Sequence, residues 1–197
     1  RCTGLADKLL AYHQAGGRVL GIGSGYQLLA REITAQQPYD GGKQCIEGLG
    51  LLDISTTIEP SQKHYRSLAK SQALLPFEQQ AQLLSGYEIR TGATQLGSES
   101  RSWLRVVQRL GQDVIDFNGA VSKDGRCFGT SFHGLFNNDN WRRSLIDWLR
   151  QEKGLSPLTA PIYNCQQAKE AAFDRLAAHL RQHLDLEQIY DFLQLQH

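Results

Sequence analysis

A chain of 197 residues with 41% apolar residues, 21% charged residues and a formal net charge of +1 has the make-up of an ordinary globular protein with one substantial core. It carries no basic stripe for a nucleic-acid backbone and no apolar run of membrane-spanning length. The four cysteines, Cys2, Cys45, Cys127 and Cys165, form no CxxC pair, which excludes zinc-ribbon and thioredoxin motifs and points to reduced thiols in a cytoplasm.

The first residue is Arg and the chain opens inside a helix pattern, so a piece of a longer polypeptide is expected. Thr3 can cap a helix over 4–15, with Leu5, Leu9, Leu10 and Tyr12 on its apolar face and Gly16-Gly17 at its end. Residues 18–22, RVLGI, read as a buried strand. Residues 26–33, YQLLAREI, alternate at helical spacing, and 34–50 read as loop. Strand-like runs follow at 51–58, 82–90, 103–110, 113–122 and 126–132, while 61–73 is ambiguous. From Asn138 the pattern is helical. One helix over 139–153 carries Trp141, Leu145, Trp148 and Leu149 on one face. A proline-bearing linker spans 155–164, and helices are expected over 165–184 and 186–195. The expected layout is an α/β body over 1–154 and a linker with C-terminal helices over 155–197.

The stretch GRVLGIGSGYQLL (17–29) is strand, glycine turn and helix. Such an elbow can hold one side chain at a strained tip and aim helix-start N–H groups at a developing oxyanion. The tip is Gly23 or Ser24. A G-x-S-x-G elbow centred on Ser24 needs glycines where Ile22 and Tyr26 stand, and a G-x-G-x-x-G fingerprint from Gly21 also needs glycine at Tyr26. An inert turn is therefore an open alternative. In FGTSFHGLFNND (128–139), His133 follows a strand, where a base for an elbow nucleophile would stand, although a packed loop histidine fits as well. His179 and His183 have metal-clasp spacing but no third ligand, so no metal site is expected, and no P-loop occurs.

Four segments, GRVLGIGSGYQLL, EGLGLLDISTTI, GYEIRTG and GTSFHGLFNNDNWRRSLIDWL, have the order and approximate spacing found in the cobyric acid synthases. Together they resemble the C-terminal, class I glutamine amidotransferase-like domain of that family over most of 3–150, and the tail is similar too. The resemblance implies a flavodoxin-like three-layer α/β sandwich, N-terminally truncated here, with a helical tail. It implies glutamine as nitrogen donor, and a synthetase domain and a corrinoid substrate as partners. ATP (with Mg) would be used on an N-terminal domain outside this chain, so no cofactor is expected within it. The reaction implied is amidation of adenosylcobyrinic acid a,c-diamide in cobalamin biosynthesis.

The family elbow reads G-I-C-G-G-Y-Q, which places its nucleophilic cysteine on Gly23 and its histidine on His133. Without a thiolate no glutamyl thioester forms, so glutaminase activity is expected to be lost while the turn survives. Ser24 stands one residue late and is expected to contribute its N–H rather than its hydroxyl. Cys127 is expected in the core. Gln27 matches a glutamine near the family's substrate pocket; an exposed first-turn helix residue is the alternative reading. Glu88 lies in the GYE segment, where it either shapes the substrate site or makes a structural hydrogen bond. Arg90 replaces the histidine usual in that segment. A non-catalytic module with the same fold, and the related muramyl-lipid amidotransferase subunit that shares the elbow, are the competing readings. The long tail and HGLFNNDNWRRSL argue against the second.

Overall fold

The computed structural model describes residues 4–35 and 44–193. They divide between two compact units, Arg1–Thr159 and Ala160–His197. The helix α1 (Leu5–Gln14) precedes the strand β1 (Val19–Ile22), the short helix α2 (Ser24–Leu28) and the strands β2 (Glu32–Ala35) and β3 (Gln44–Glu47). Thr3, the expected cap of α1, lies outside the described residues, as do Cys2 and residues 36–43. Next come β4 (Ile54–Ser71), β5 (Leu83–Leu96), β6 (Ser100–Arg101), β7 (Leu104–Arg109) and β8 (Gln112–Asn118). The strands β9 (Ala120–Ser122), β10 (Cys127–Thr130) and β11 (Phe132–His133) lead into the helix α3 (Asp139–Glu152).

These strands form two sheets. The smaller has the order β1-β10-β9-β6, with β1 and β10 parallel. The larger runs β11-β5-β4-β2-β3, with β7 on β4 and β8 on β7. The ambiguous stretch 61–73 lies mostly inside β4, an 18-residue strand whose length is used by several partners. Its first part pairs in parallel with β2 (Glu32↔Ser55), its last part pairs with β7, and most of it pairs with β5. A bulge between Ile58 and Lys63 shifts the β4–β5 register.

The helix expected over 26–33 is a correction. The helix stops at Leu28, and Glu32–Ala35 is strand. Ile33 pairs with Thr56 on one side and Ile46 on the other, so sheet pairing overrides a local helical period. The expected loop 34–50 likewise contains β3.

Apolar packing falls into two clusters. One is aromatic, built on Phe77, Trp103, Phe128, Phe132 and Trp141. Its indoles are satisfied: Trp103 Nε1 donates to the Gly129 carbonyl at 2.9 Å and Trp141 Nε1 to Glu78 Oε1 at 3.1 Å. The other joins Val19, Tyr26, Leu29, Ile33, Leu52 and Ile54 around β1 and α2. Residues 155–158 stay with the first unit because Arg150 Nε donates to the Ser156 carbonyl and the Leu158 N–H to Asp147 Oδ1.

The second unit holds α4 (Cys165–His183), capped by the Asn164 side chain on the Gln167 N–H, and α5 (Leu186–Phe192), capped by Asp185 on the Gln188 N–H. His179 and His183 stack with ring centroids 4.1 Å apart, and His183 Nδ1 donates to the His179 carbonyl. Among the described residues no helix is long and apolar enough to cross a membrane.

Candidate active site

The elbow is formed by β1 running into α2. Parallel pairing of Gly21 with Gly129 brings two backbones and α2 together where no side chain fits: a Cβ on Gly21 would stand 2.6 Å from Leu29 Cδ1 and 2.8 Å from the Gly25 carbonyl oxygen. At the tip, Gly23 has φ +61° and ψ −123°. Its N–H donates to the Thr130 carbonyl at 2.9 Å, and its own carbonyl accepts from the Tyr26 and Gln27 N–H groups. The chain is thus pinned on both sides of a backbone conformation that ordinary residues adopt only at a cost of about 1–3 kcal/mol.

His133 reaches this tip from the other sheet. It pairs with Tyr87 across β11 and β5, and the two rings stack with centroids 5.1 Å apart. A Cβ on Gly23 would lie 2.9 Å from His133 Cε1 and 3.1 Å from Nε2. That Nε2 is buried and has no hydrogen-bond partner among the described residues. Burial holds the imidazole below its ordinary range, which leaves it neutral at pH 7 and fit to accept a proton.

Gly23 and His133 open onto a cavity of about 640 Å³. Ser24, Tyr26 and Gln27 line it from the elbow. Arg90 and Thr91 line it from β5, and Asp116, Phe117 and Asn118 from β8. Of the five residues singled out by sequence, the structure brings Gly23, Ser24, Gln27 and His133 to one cavity.

Glu88 is the exception: of its two expected roles, shaping the substrate site or making a structural hydrogen bond, its surroundings fit the second. Its side chain is fully buried and does not line the cavity. Its oxygens accept from Ser67 Oγ at 2.9 Å, Arg109 Nε at 2.6 Å and Asn118 Nδ2 at 2.7 Å, and Arg90 Nε forms an ion pair with it at 3.1 Å. A carboxylate so surrounded holds the residues of the cavity wall rather than a ligand. Asn118 passes the arrangement on to the elbow side: its Oδ1 accepts from Thr130 Oγ1 at 2.8 Å and the Ser131 N–H at 3.1 Å.

Cys127 offers no replacement thiol. It is fully buried in β10, outside the cavity lining, and burial reinforced by the Asp124 charge pushes its thiol up to about 12. Asp116, Phe117 and Asn118 line the cavity, and the sequence reading did not single them out. A signal existed in DVIDFN: strict alternation puts Asp116 and Asn118 on one face of a strand and Ile115 and Phe117 on the other, and the polar face is the one turned inward.

A family model described as CobB/CobQ-like glutamine amidotransferase domain matches residues 1–141. A cobyric acid synthase of Photorhabdus laumondii is 38% identical over 193 residues, covering 96% of this chain and 37% of that protein. One from Pelotomaculum thermopropionicum is 40% identical over 199 residues, covering 98% and 38%. One from Yersinia enterocolitica is 36% identical over 190 residues, covering 95% and 37%. The chain therefore spans little more than a third of the length of these curated relatives. Among solved structures, PurLQS from Thermotoga maritima superposes with a TM-score of 0.53 at 12% identity, covering 74% of this chain and 68% of that one, a likeness of fold alone. The elbow, the facing histidine and these matches converge: on a class I glutamine amidotransferase fold, the chain belongs to the family of CobB/CobQ-like glutamine amidotransferase domains.

Proposed function

We propose that this chain is the amidotransferase portion of a cobyric acid synthase-like protein that receives glutamine beside Gly23 and His133 but lacks the nucleophile to hydrolyse it. The relatives' shared name and the family match support the first part. One geometric observation carries the second. The first side-chain atom at position 23 would stand 3.1 Å from a buried, unpartnered imidazole nitrogen, and glycine supplies no such atom.

In a site of this kind a thiol at the tip gives its proton to the histidine, and the thiolate attacks the glutamine amide carbon. The imidazolium returns the proton to the departing nitrogen, ammonia leaves, and water clears the thioester. In this chain His133 retains the base role and the Ser24 N–H stands at the start of α2 for the oxyanion. Gln27 would face the bound amide. With no electron pair at the tip the first bond does not form. Ammonia from solution then replaces glutamine-derived ammonia for an ATP-dependent amidation of adenosylcobyrinic acid a,c-diamide. That step belongs to a synthetase domain which would bind ATP (with Mg) and the corrinoid. The setting proposed is cytoplasmic.

Ammonia release from glutamine, compared between the protein as it stands and Gly23→Cys, tests this reading. Near-background release that rises in Gly23→Cys and falls again in Gly23→Cys/His133→Ala supports it. Enzyme-rate release from the unmodified protein, or covalent capture of an electrophilic glutamine mimic on it, overturns the lost nucleophile. A lack of release from both proteins, with glutamine still binding in the cavity, favours the same fold kept as a non-catalytic contact module.

A further inference from the structure

Arg90 stands where the sequence departs from its family's pattern, and it lines the same cavity as Gly23 and His133. Its Nη1 donates to Asp116 Oδ2 at 3.1 Å, and Asp116 also lines that cavity. Behind this pair lie Glu88 and Arg109, neither of which reaches the lining. Arg109 ties the two carboxylates together, with Nε on Glu88 at 2.6 Å and Nη2 on Asp116 at 2.5 Å. Two guanidinium groups and two carboxylates make a cluster that is neutral overall. It shows the cavity one charge of each sign: the Arg90 and Asp116 side chains are 28% and 38% exposed, whereas that of Glu88 is 0% exposed.

Both exposed members keep hydrogen-bonding capacity. Arg90 uses Nε on Glu88 and Nη1 on Asp116, and its Nη2 has only a 3.4 Å contact with the Phe117 carbonyl. A guanidinium has five N–H donors in a fixed fork, so donors remain for a ligand. Asp116 accepts from the Phe117 N–H on Oδ1 and from both arginines on Oδ2, which leaves lone-pair capacity on a carboxylate. A ligand with net charge would unbalance the cluster, whereas a zwitterion would not. Ile89, in the same lining, offers apolar surface to methylene groups. The cavity has the size of a small-molecule site.

The geometry points to Arg90 and Asp116 as a clamp for the zwitterionic head of an α-amino acid, Arg90 taking the α-carboxylate and Asp116 the α-ammonium, with the side-chain amide directed toward Gly23 and His133. This assignment rests on the reading of the cavity as a glutamine site. Because the tip carries no nucleophile, binding can be measured at equilibrium with the true amide.

Isothermal titration of the protein with L-glutamine is compared with two analogues that each lack one head group. These are 4-aminobutanamide, without the α-carboxylate, and 4-carbamoylbutanoate, without the α-ammonium. Each analogue is expected to bind about 10- to 100-fold more weakly than L-glutamine, the loss of a charge-assisted contact. Arg90→Ala should weaken L-glutamine by a similar factor and leave 4-aminobutanamide unchanged. Asp116→Asn should do the same with 4-carbamoylbutanoate as the indifferent ligand. L-glutamine binding matched by both analogues within about threefold overturns the clamp and leaves the glutamine reading standing. A variant that keeps the wild-type discrimination overturns the residue it replaces. No binding of L-glutamine or of either analogue overturns clamp and reading together. Should a variant not fold, the analogue series on the unmodified protein decides the matter.

Discussion

Two regions beside one cavity treat polar atoms in opposite ways. At the elbow, His133 Nε2 is buried and unpartnered, and the residue facing it is glycine. In the ion cluster, Glu88 is more deeply buried, yet its oxygens meet Ser67, Arg90, Arg109 and Asn118. Leaving a polar group buried without a partner costs about 1–3 kcal/mol. The fold removes that cost around Glu88 with protein partners and supplies none at His133. A nitrogen with no protein partner beside a cavity keeps its hydrogen-bonding capacity for a ligand, whereas a saturated carboxylate supports the wall from behind.

The largest effect that can break this comparison is gain of chemistry at the elbow. Gly23→Cys is expected to raise ammonia release from glutamine by about 10⁴- to 10⁶-fold, the range over which losing a nucleophile acts in hydrolases. His133 must withdraw by a few tenths of an ångström, since the new Cβ would otherwise stand 2.9 Å from its Cε1. The positive φ adds strain of about 1–3 kcal/mol, to be read by urea denaturation. Gly23→Ala separates the two effects: it should carry a similar strain and remain inactive. Equal ammonia release from the Ala and Cys variants would mean that the orphaned imidazole is not a base awaiting a thiol.

Next in size is Glu88→Ala, which removes the buried carboxylate shared by Ser67, Arg109 and Asn118 and should cost about 3–5 kcal/mol of unfolding free energy. Glu88 also fixes the acid side of the stability curve. Burial pushes its carboxyl up, but hydrogen bonds from Arg109, the Arg90 charge and the Asn118 amide outweigh that and hold it below the ordinary value of 4.5. A depressed carboxyl contributes fully above its unfolded value and loses that contribution as pH falls through the folded one. Glu88→Gln should therefore flatten the fall in stability on acidification below about pH 4.5. An unchanged acid limb would show that the cluster's partners do not stabilise the charged form.

Glu78 sharpens the contrast from the other direction. It too is a buried glutamate, but burial dominates, opposed only by Ser71, Trp141 and the Leu75 N–H, and its carboxyl is raised. The sign reverses: its contribution is complete below the ordinary value and is lost as pH rises through the folded one. Glu78→Gln keeps an acceptor for Trp141 Nε1 and removes the charge. It should raise the thermal midpoint at pH 7 and leave it unchanged near pH 4. A gain of the same size at both pH values would trace the effect to packing instead of ionisation.

Helix α3 was legible because Trp141 and Leu145 recur at helical spacing and both are buried in the structure. The elbow was legible because Gly21 and Gly23 are dictated by close approach and by φ, which are local demands. What the sequence hid is non-local. The helical period at 26–33 lost to pairing of Ile33 with strands that begin many residues away. In β8, Ile115 and Phe117 are 76% and 52% exposed while Asn118 is buried, so a reader who sends apolar residues inward turns the strand over and loses Asp116. Glu88 was visible as a motif residue, but its role depends on Arg109 and Asn118, which lie 21 and 30 positions along the chain.

The smallest effect concerns the second glycine of the turn. Gly23 and Gly25 look equivalent in the sequence, yet only Gly23 has a positive φ, and a Cβ on Gly25 would meet nothing within 4 Å. Gly25 sits inside α2, where glycine is less favourable than alanine by about 0.5–1 kcal/mol. On folding grounds alone, Gly25→Ala should stabilise the protein by that amount, visible as a thermal midpoint higher by a few degrees. Gly25 is also absent from the cavity lining, so L-glutamine affinity should not change. A stabilised variant with weakened glutamine binding would show that the ligand approaches the backbone at Gly25 more closely than the cavity walls do, and would extend the functional face of the elbow by one residue along α2.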